Sequence, residues 1–98
     1  MANYRLSKKA DREIEDIYRY SFQKFGEKQA DRYLKNLHDT LAMLAEIPTS
    51  GRRCDHIKQG YRRHEHSRHI IFYKITDDGI FITRILGTNQ KPQKQIHN

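Results

Sequence analysis

The chain has 98 residues, 19 Lys and Arg against 12 Asp and Glu, and a formal net charge of +7. Only 36% of the residues are apolar, and one core typically serves about 100 to 150 residues, so this length supports a single domain with a thin core. No run of about 18 apolar residues exists, which excludes a membrane-spanning helix. The N-terminus lacks the apolar stretch of a secretory signal, which predicts a cytoplasmic chain. The lone Cys54 can neither close an internal disulfide nor anchor a cysteine-based zinc site.

Asn3-Tyr4-Arg5-Leu6 alternates polar and apolar residues and predicts a short strand. Ser7 then offers an N-cap hydroxyl to a helix with apolar positions Ala10, Ile14, Ile17, Tyr18, Phe22 and Phe25, spaced to share one face. Phe22 and Phe25 are therefore expected to fill the core, the alternative being apolar positions that a partner could cover. Asp11, Glu13, Glu15 and Asp16 fall in the first half of this helix, where negative charge complements its dipole. Gly26 suits the residue that ends it, because glycine enters the left-handed region without steric cost. A second helix starts near Glu27 with the stripe Ala30, Tyr33, Leu34, Leu37, Leu41 and Leu44, and Pro48 stops it. Two amphipathic helices around one glycine turn predict an antiparallel hairpin.

An irregular loop runs from Pro48 to Gly60. Tyr61 to Glu65 is a short candidate strand, and His69 to Ile75 is rich in β-branched and aromatic residues. Asp78-Gly79 marks a hairpin turn, and Ile80 to Leu86 returns. The near-continuous apolar runs of these last two strands place them at the centre of the sheet. The expected fold is α+β, in the order β-α-α-β-β-β, with the helix hairpin covering a small, mainly antiparallel sheet. The domain is read as 1–86 and a polar tail as 87–98.

Charge is uneven. Residues 1–47 hold nine basic and eight acidic side chains; residues 48–98 hold ten and four, with five of the six histidines. This second half attracts anions, whether nucleic acid, an acidic protein or headgroups. Neither helix carries the one-sided basic stripe of a recognition helix, so direct nucleic-acid contact is not favoured and is left to the sheet or tail. His64 and His66 share one side of a strand, but no metal-site spacing appears and no metal is expected. No phosphate-binding glycine loop is present, and no cofactor is expected. The Cys54-Asp55-His56 run is rejected as a dyad, since adjacent residues on an extended loop diverge and an Asp beside a thiol raises its pKa.

A metal-free ribonuclease needs a base, an acid and cations around phosphorus. Arg62, Arg63, Arg68, His69, Tyr73, Lys74 and Arg84 are residues of the right kinds on adjoining strands. Alternation puts Arg62 and His64 on one face, and Arg63 and Glu65 on the other. Arg84, inside an apolar strand, requires an anionic partner, with Asp55, Asp77 and Glu65 as the candidates within the chain.

These motifs, in order, resemble ParE toxins of type II toxin–antitoxin modules, within the RelE/ParE superfamily. The likeness runs through Tyr4-Arg5-Leu6-Ser7, Ala10, Ile14 and Ile17, Phe25-Gly26, Gln29-Ala30, Tyr33, Leu44-Ala45, Pro48 and Gly51-Arg52. It continues in Asp55-x-Ile57-x-x-Gly60-Tyr61-Arg62-Arg63, His69-x-Ile71-Phe72-Tyr73, Gly79-Ile80 and Arg84-Ile85-Leu86. The resemblance implies the same β-α-α-β-β-β fold, inhibition of DNA gyrase by protein–protein binding, and neutralisation by a ParD-like antitoxin in a hetero-oligomer. RelE relatives instead cleave mRNA on the ribosome; on that alternative Arg62, His69 and Arg84 would carry the reaction. The partner-binding candidates are Arg62, Arg63, Arg68, Tyr73, Phe81 and Arg84, with Ile82 a further apolar position that a partner could cover. ParE-like chains usually follow Arg-Ile-Leu with His and then Met-Asp, where this chain has Gly87 and then Gln90-Lys91. That departure leaves a third reading open, an attenuated toxin that only binds its antitoxin.

Overall fold

The structure, a computed structural model, describes residues 3–88. In chain order it comprises β1 (Asn3–Leu6), α1 (Lys8–Phe25), α2 (Glu27–Glu46), a one-turn 3-10 helix (Pro48–Ser50), β2 (Arg52–Arg53), β3 (Arg62–His66), β4 (His69–Thr76) and β5 (Gly79–Gly87). The β-α-α-β-β-β order of the sequence reading holds, with the two-residue β2 as an addition that no alternation could signal. The tail expected from residue 87 lies outside the described residues from 89 onward; Gly87 itself ends β5.

The sheet has the order β1-β5-β4-β3-β2, with β1 parallel to β5 and every other pair antiparallel. β4 and β5 are central, and both faces of them are covered. On one face Ile71, Tyr73, Ile80, Ile82 and Ile85 pack with Ile14, Leu37, Leu41 and Leu44 of the helix hairpin. On the other, Ile70, Phe72 and Leu86 pack with Cys54 and Tyr61, so the 54–61 loop does for the outer face what the helices do for the inner one.

Strict alternation would put Ile82 and Ile85 on opposite faces. They share the inner core because a bulge intervenes: Phe72 pairs with Arg84 and Tyr73 with Ile82, leaving Thr83 unpaired. The Thr83 hydroxyl donates to the Phe72 carbonyl at 3.1 Å, which satisfies it within the buried bulge.

Ser7 caps α1 as expected, accepting the Ala10 N–H at 3.0 Å. Gly26 ends the helix at φ 92, and its N–H reaches the Phe22 carbonyl at 2.9 Å. The buried positions of α1 are Ala10, Ile14 and Ser21. Phe22 sits about 100° further round the helix than Ser21, and it and Phe25 are 47% and 53% exposed. The expectation that these two rings fill the core is therefore corrected: the buried face runs to Ser21 and leaves both outside.

The parallel partner β1 covers only Gly79 to Ile82 of β5, because the chain leaves the sheet at Ser7 to start α1. Beyond that point the edge of a central strand is open. The side chains of the Ser7 cap and of Glu13 in α1 close it. The Ser7 hydroxyl donates to the Thr83 carbonyl at 2.8 Å. The Glu13 carboxylate accepts the Ile85 N–H at 2.8 Å with one oxygen, and Arg84 Nε and Nη2 at 2.9 and 2.7 Å with the other. Arg84 thus finds its anion on α1; Asp55, Asp77 and Glu65 do not pair with it, because the first helix lies nearer the open edge than any of those loops and strands.

Tyr73, fully buried, anchors the crossing from α2 to the sheet. Its hydroxyl donates to the Pro48 carbonyl at 2.6 Å and accepts the Gly51 N–H at 3.0 Å. A Cβ on Gly51 would collide with that hydroxyl and lie 2.9 Å from the Arg63 carbonyl, so no other residue fits there.

Removing one member of a largely buried ion pair typically costs about 3 to 5 kcal/mol. Glu13→Ala, which also strands the Ile85 N–H, is expected to lower unfolding stability by about 3 kcal/mol in urea titration. A loss below about 1 kcal/mol would place Glu13 among ordinary surface pairs.

Candidate functional site

The three residues that a ribonuclease reading would need are not gathered together. Arg62 pairs with Tyr73 and donates to the Gly51 carbonyl at 2.8 Å. His69 lies four positions away at the far end of β4, about 13 Å along the strand. Arg84 is held by Glu13, with its side chain 14% exposed. Each is committed to the scaffold.

The same holds for part of the partner-binding set. Tyr73 and Ile82 are fully buried and can meet no partner; the central strands that made them conspicuous in sequence also enclose them. Arg63 lies over the Phe72 ring at 6.0 Å and shares Glu65 with Arg52. Phe81 is half-buried beneath the Arg5 guanidinium, 6.0 Å from its centroid. Arg68 is exposed on the turn between β3 and β4.

That turn docks on α2 through a polar cluster. His66 and His69 pair across the hairpin end, with Ser67 between them at φ 55. Nδ1 of His69 shares a 2.7 Å hydrogen bond with the Tyr33 hydroxyl, and Nδ1 of His66 a 3.1 Å bond with the Thr40 hydroxyl. The Tyr33 ring lies 5.6 and 5.8 Å from the two imidazoles. Burial, then the neighbouring His64, holds His66 below its ordinary pKa; burial, then His66, does the same for His69. Burial pushes the Tyr33 phenol up. A neutral, hydrogen-bonded cluster results.

Beside the cluster a groove opens between α1, α2 and the turn, with Tyr20, Phe25, Tyr33, Arg68 and His69 on its walls and Gly87 at its end. Across α1, Ile14, Tyr18, Phe22, Leu34 and His38 line a second, more apolar groove. The C-terminal half of α1 is therefore a ridge between two grooves. Its rings Tyr20, Phe22 and Phe25 are 58%, 47% and 53% exposed. The sequence reading favoured the core for Phe22 and Phe25 and gave Tyr20 no role, so it did not assemble this surface.

Among the described residues, no three His, Cys, Asp or Glu side chains are grouped so as to hold a metal ion, and no helix is long and apolar enough to cross a membrane. Cys54 is buried, and burial pushes its thiol up; Arg63 partly offsets this and Asp55 adds to it. It is a packing residue.

The fold is a basic helix hairpin on a sheet with an aromatic ridge, and it ties Arg62, His69 and Arg84 into the scaffold. Residues 4–92 match the family described as ParE toxin of type II toxin-antitoxin system, parDE. The chain is 39% identical over 97 residues to Toxin ParE1 of Caulobacter vibrioides, covering 99% of this chain and 98% of that one. It is 35% identical over 86 residues to a Toxin ParE1 of Mycobacterium tuberculosis, covering 87% and 88% of the two chains. A solved structure described as a chromosomal ParDE TA system from P. aeruginosa shares the fold at a TM-score of 0.74, with 18% identity over 89% of this chain and 96% of that one. The chain belongs to the ParE toxin family.

The histidine cluster has a pH signature. The folded chain keeps both imidazoles neutral where unfolded imidazoles, near 6.5, take up protons. The unfolded state then binds more protons, so stability is full above 6.5 and falls as the pH drops through the depressed folded values. Denaturation midpoints measured from about pH 7.5 to about pH 5.5 should fall for the native chain and fall less for the double variant His66→Gln, His69→Gln. Equal slopes would show that the cluster is not held neutral.

Proposed function

We propose that this chain is a toxin that inhibits DNA gyrase by protein–protein binding in the cytoplasm and is neutralised by a ParD-like antitoxin. The family membership supports the toxin reading. The observation that carries the mode of action is the α1 ridge: three exposed aromatic rings flanked by grooves, on a chain whose Arg62, His69 and Arg84 are already engaged in holding the fold. Buried aromatic anchors supply most of the free energy of protein interfaces. The basic second half favours fast capture of an acidic, partly disordered segment such as an antitoxin tail.

One observation favours the reading of an attenuated toxin. Gly87 pairs with His69 and ends the groove without a side chain, at the position where ParE-like chains usually carry His. On that reading the antitoxin binds and gyrase does not.

Purified protein in modest excess should inhibit gyrase supercoiling, and the double variant Phe22→Ser, Phe25→Ser should lose at least tenfold in inhibition while keeping its thermal unfolding transition. Inhibition unchanged by that variant would move the contact off α1. Tight antitoxin binding with supercoiling and growth untouched would select the attenuated form.

A further inference from the structure

The outer face of the sheet, away from the helices, has a composition of its own. Arg5 pairs with Phe81 and Phe81 with Lys74, so the three form one row across β1, β5 and β4. Each alternates with inward residues: Tyr4 and Leu6 around Arg5, Ile80 and Ile82 around Phe81, and Tyr73 before Lys74. All three side chains therefore leave the outer face. The row continues onto the loop, where the Tyr61 ring has the Lys74 ammonium at 5.5 Å and the Lys58 ammonium at 5.9 Å. Arg5 and Lys74, two strands apart, are separated by about 10 Å.

Among the described residues none of Arg5, Lys58 and Lys74 makes an ion pair; each has only an aromatic ring beneath it. The acidic side chains nearest in sequence are otherwise occupied or on the turn: Asp55 is taken by Arg53 and the Gly60 N–H, Asp78 by Thr76, and Asp77 is exposed at the hairpin tip. Resting a cation on a ring orders it without neutralising it. The result is a fixed line of three uncompensated positive charges.

We propose that this row is a binding site for the phosphate backbone of duplex DNA. Two observations separate that ligand from an acidic protein. A protein interface needs an apolar anchor at its centre, whereas here Tyr61 is 7% exposed and Phe81 lies under Arg5; the exposed rings of the molecule are on α1 instead. Phosphate contacts need only positioned cations. Those same covered rings disfavour a single strand, which binds by stacking bases on open aromatic faces. The contact is sequence-independent and uses a sheet face, so it does not require the recognition helix that this chain lacks. It is independent of the gyrase reading and would let the chain act on a protein target already seated on DNA.

The test is fluorescence anisotropy of a short labelled mixed-sequence duplex with the full chain, without gyrase or antitoxin. Three phosphate contacts predict about 40-fold weaker binding as salt rises from about 50 to about 200 mM. The triple variant Arg5→Gln, Lys58→Gln, Lys74→Gln should lose most of the binding and most of that salt dependence. A charge-matched control, Lys9→Gln, Arg12→Gln, Lys28→Gln, removes three exposed cations from the helices and should bind within about twofold of the native chain. Equal loss in both variants would reduce the effect to net charge and overturn the site. So would an absence of duplex binding at low salt, or a triple variant that loses binding to polyglutamate but not to DNA. Supercoiling inhibition by the triple variant, measured separately, reports on the gyrase reading alone.

Discussion

The structure turns on one carboxylate. β1 is too short to cover β5, and the central strand of a thin-cored protein is left with an open edge halfway along its length. An unpaired edge in that position is costly and invites pairing with other chains. Glu13 closes it by taking the Ile85 N–H and the Arg84 guanidinium together, and Ser7 takes the Thr83 carbonyl one step earlier. The same contacts fix α1 in register with the sheet. Where α1 lies decides which of its aromatic side chains are enclosed and which are presented.

From that placement follows a division of labour between surfaces. The helix side carries the exposed rings of α1, the chemistry of a protein contact. The sheet side carries cations resting on covered rings, the chemistry of a polyanion contact. Between them sit residues that look reactive in a list and are structural in space. Arg84 belongs to the edge closure, Tyr73 to the crossing from α2, and Arg62 to the Gly51 carbonyl. His69 belongs to the docking of a hairpin on Tyr33. Basic, aromatic and imidazole side chains are abundant in this chain because a small fold with few apolar residues uses polar clamps where a larger one would use buried area.

Much of this was legible in the sequence. The element order, the Ser7 cap, the Gly26 terminus and the central position of the last two strands all follow from spacing and residue type, because each depends on local geometry. The Arg84 partner was not, although a signal existed: Glu13 falls between Ala10, Ile14 and Ile17, on the buried stripe of α1, where a carboxylate demands a partner. The bulge at Thr83 and the short β2 were hidden, since both are set by pairing between distant segments. Phe22 and Phe25 were misread because helical periodicity assigns a face and says nothing of how far the neighbouring layer extends beneath it.

The most direct test of the central claim, that this chain acts by presenting the α1 ridge to a target protein, is side-chain footprinting by hydroxyl radicals with and without bound, DNA-free gyrase. The account predicts that oxidation of Tyr20, Phe22 and Phe25 falls several-fold in the complex while Phe81 is unchanged. Unchanged oxidation of the ridge, with protection confined to Phe81 and the outer sheet face, would contradict it.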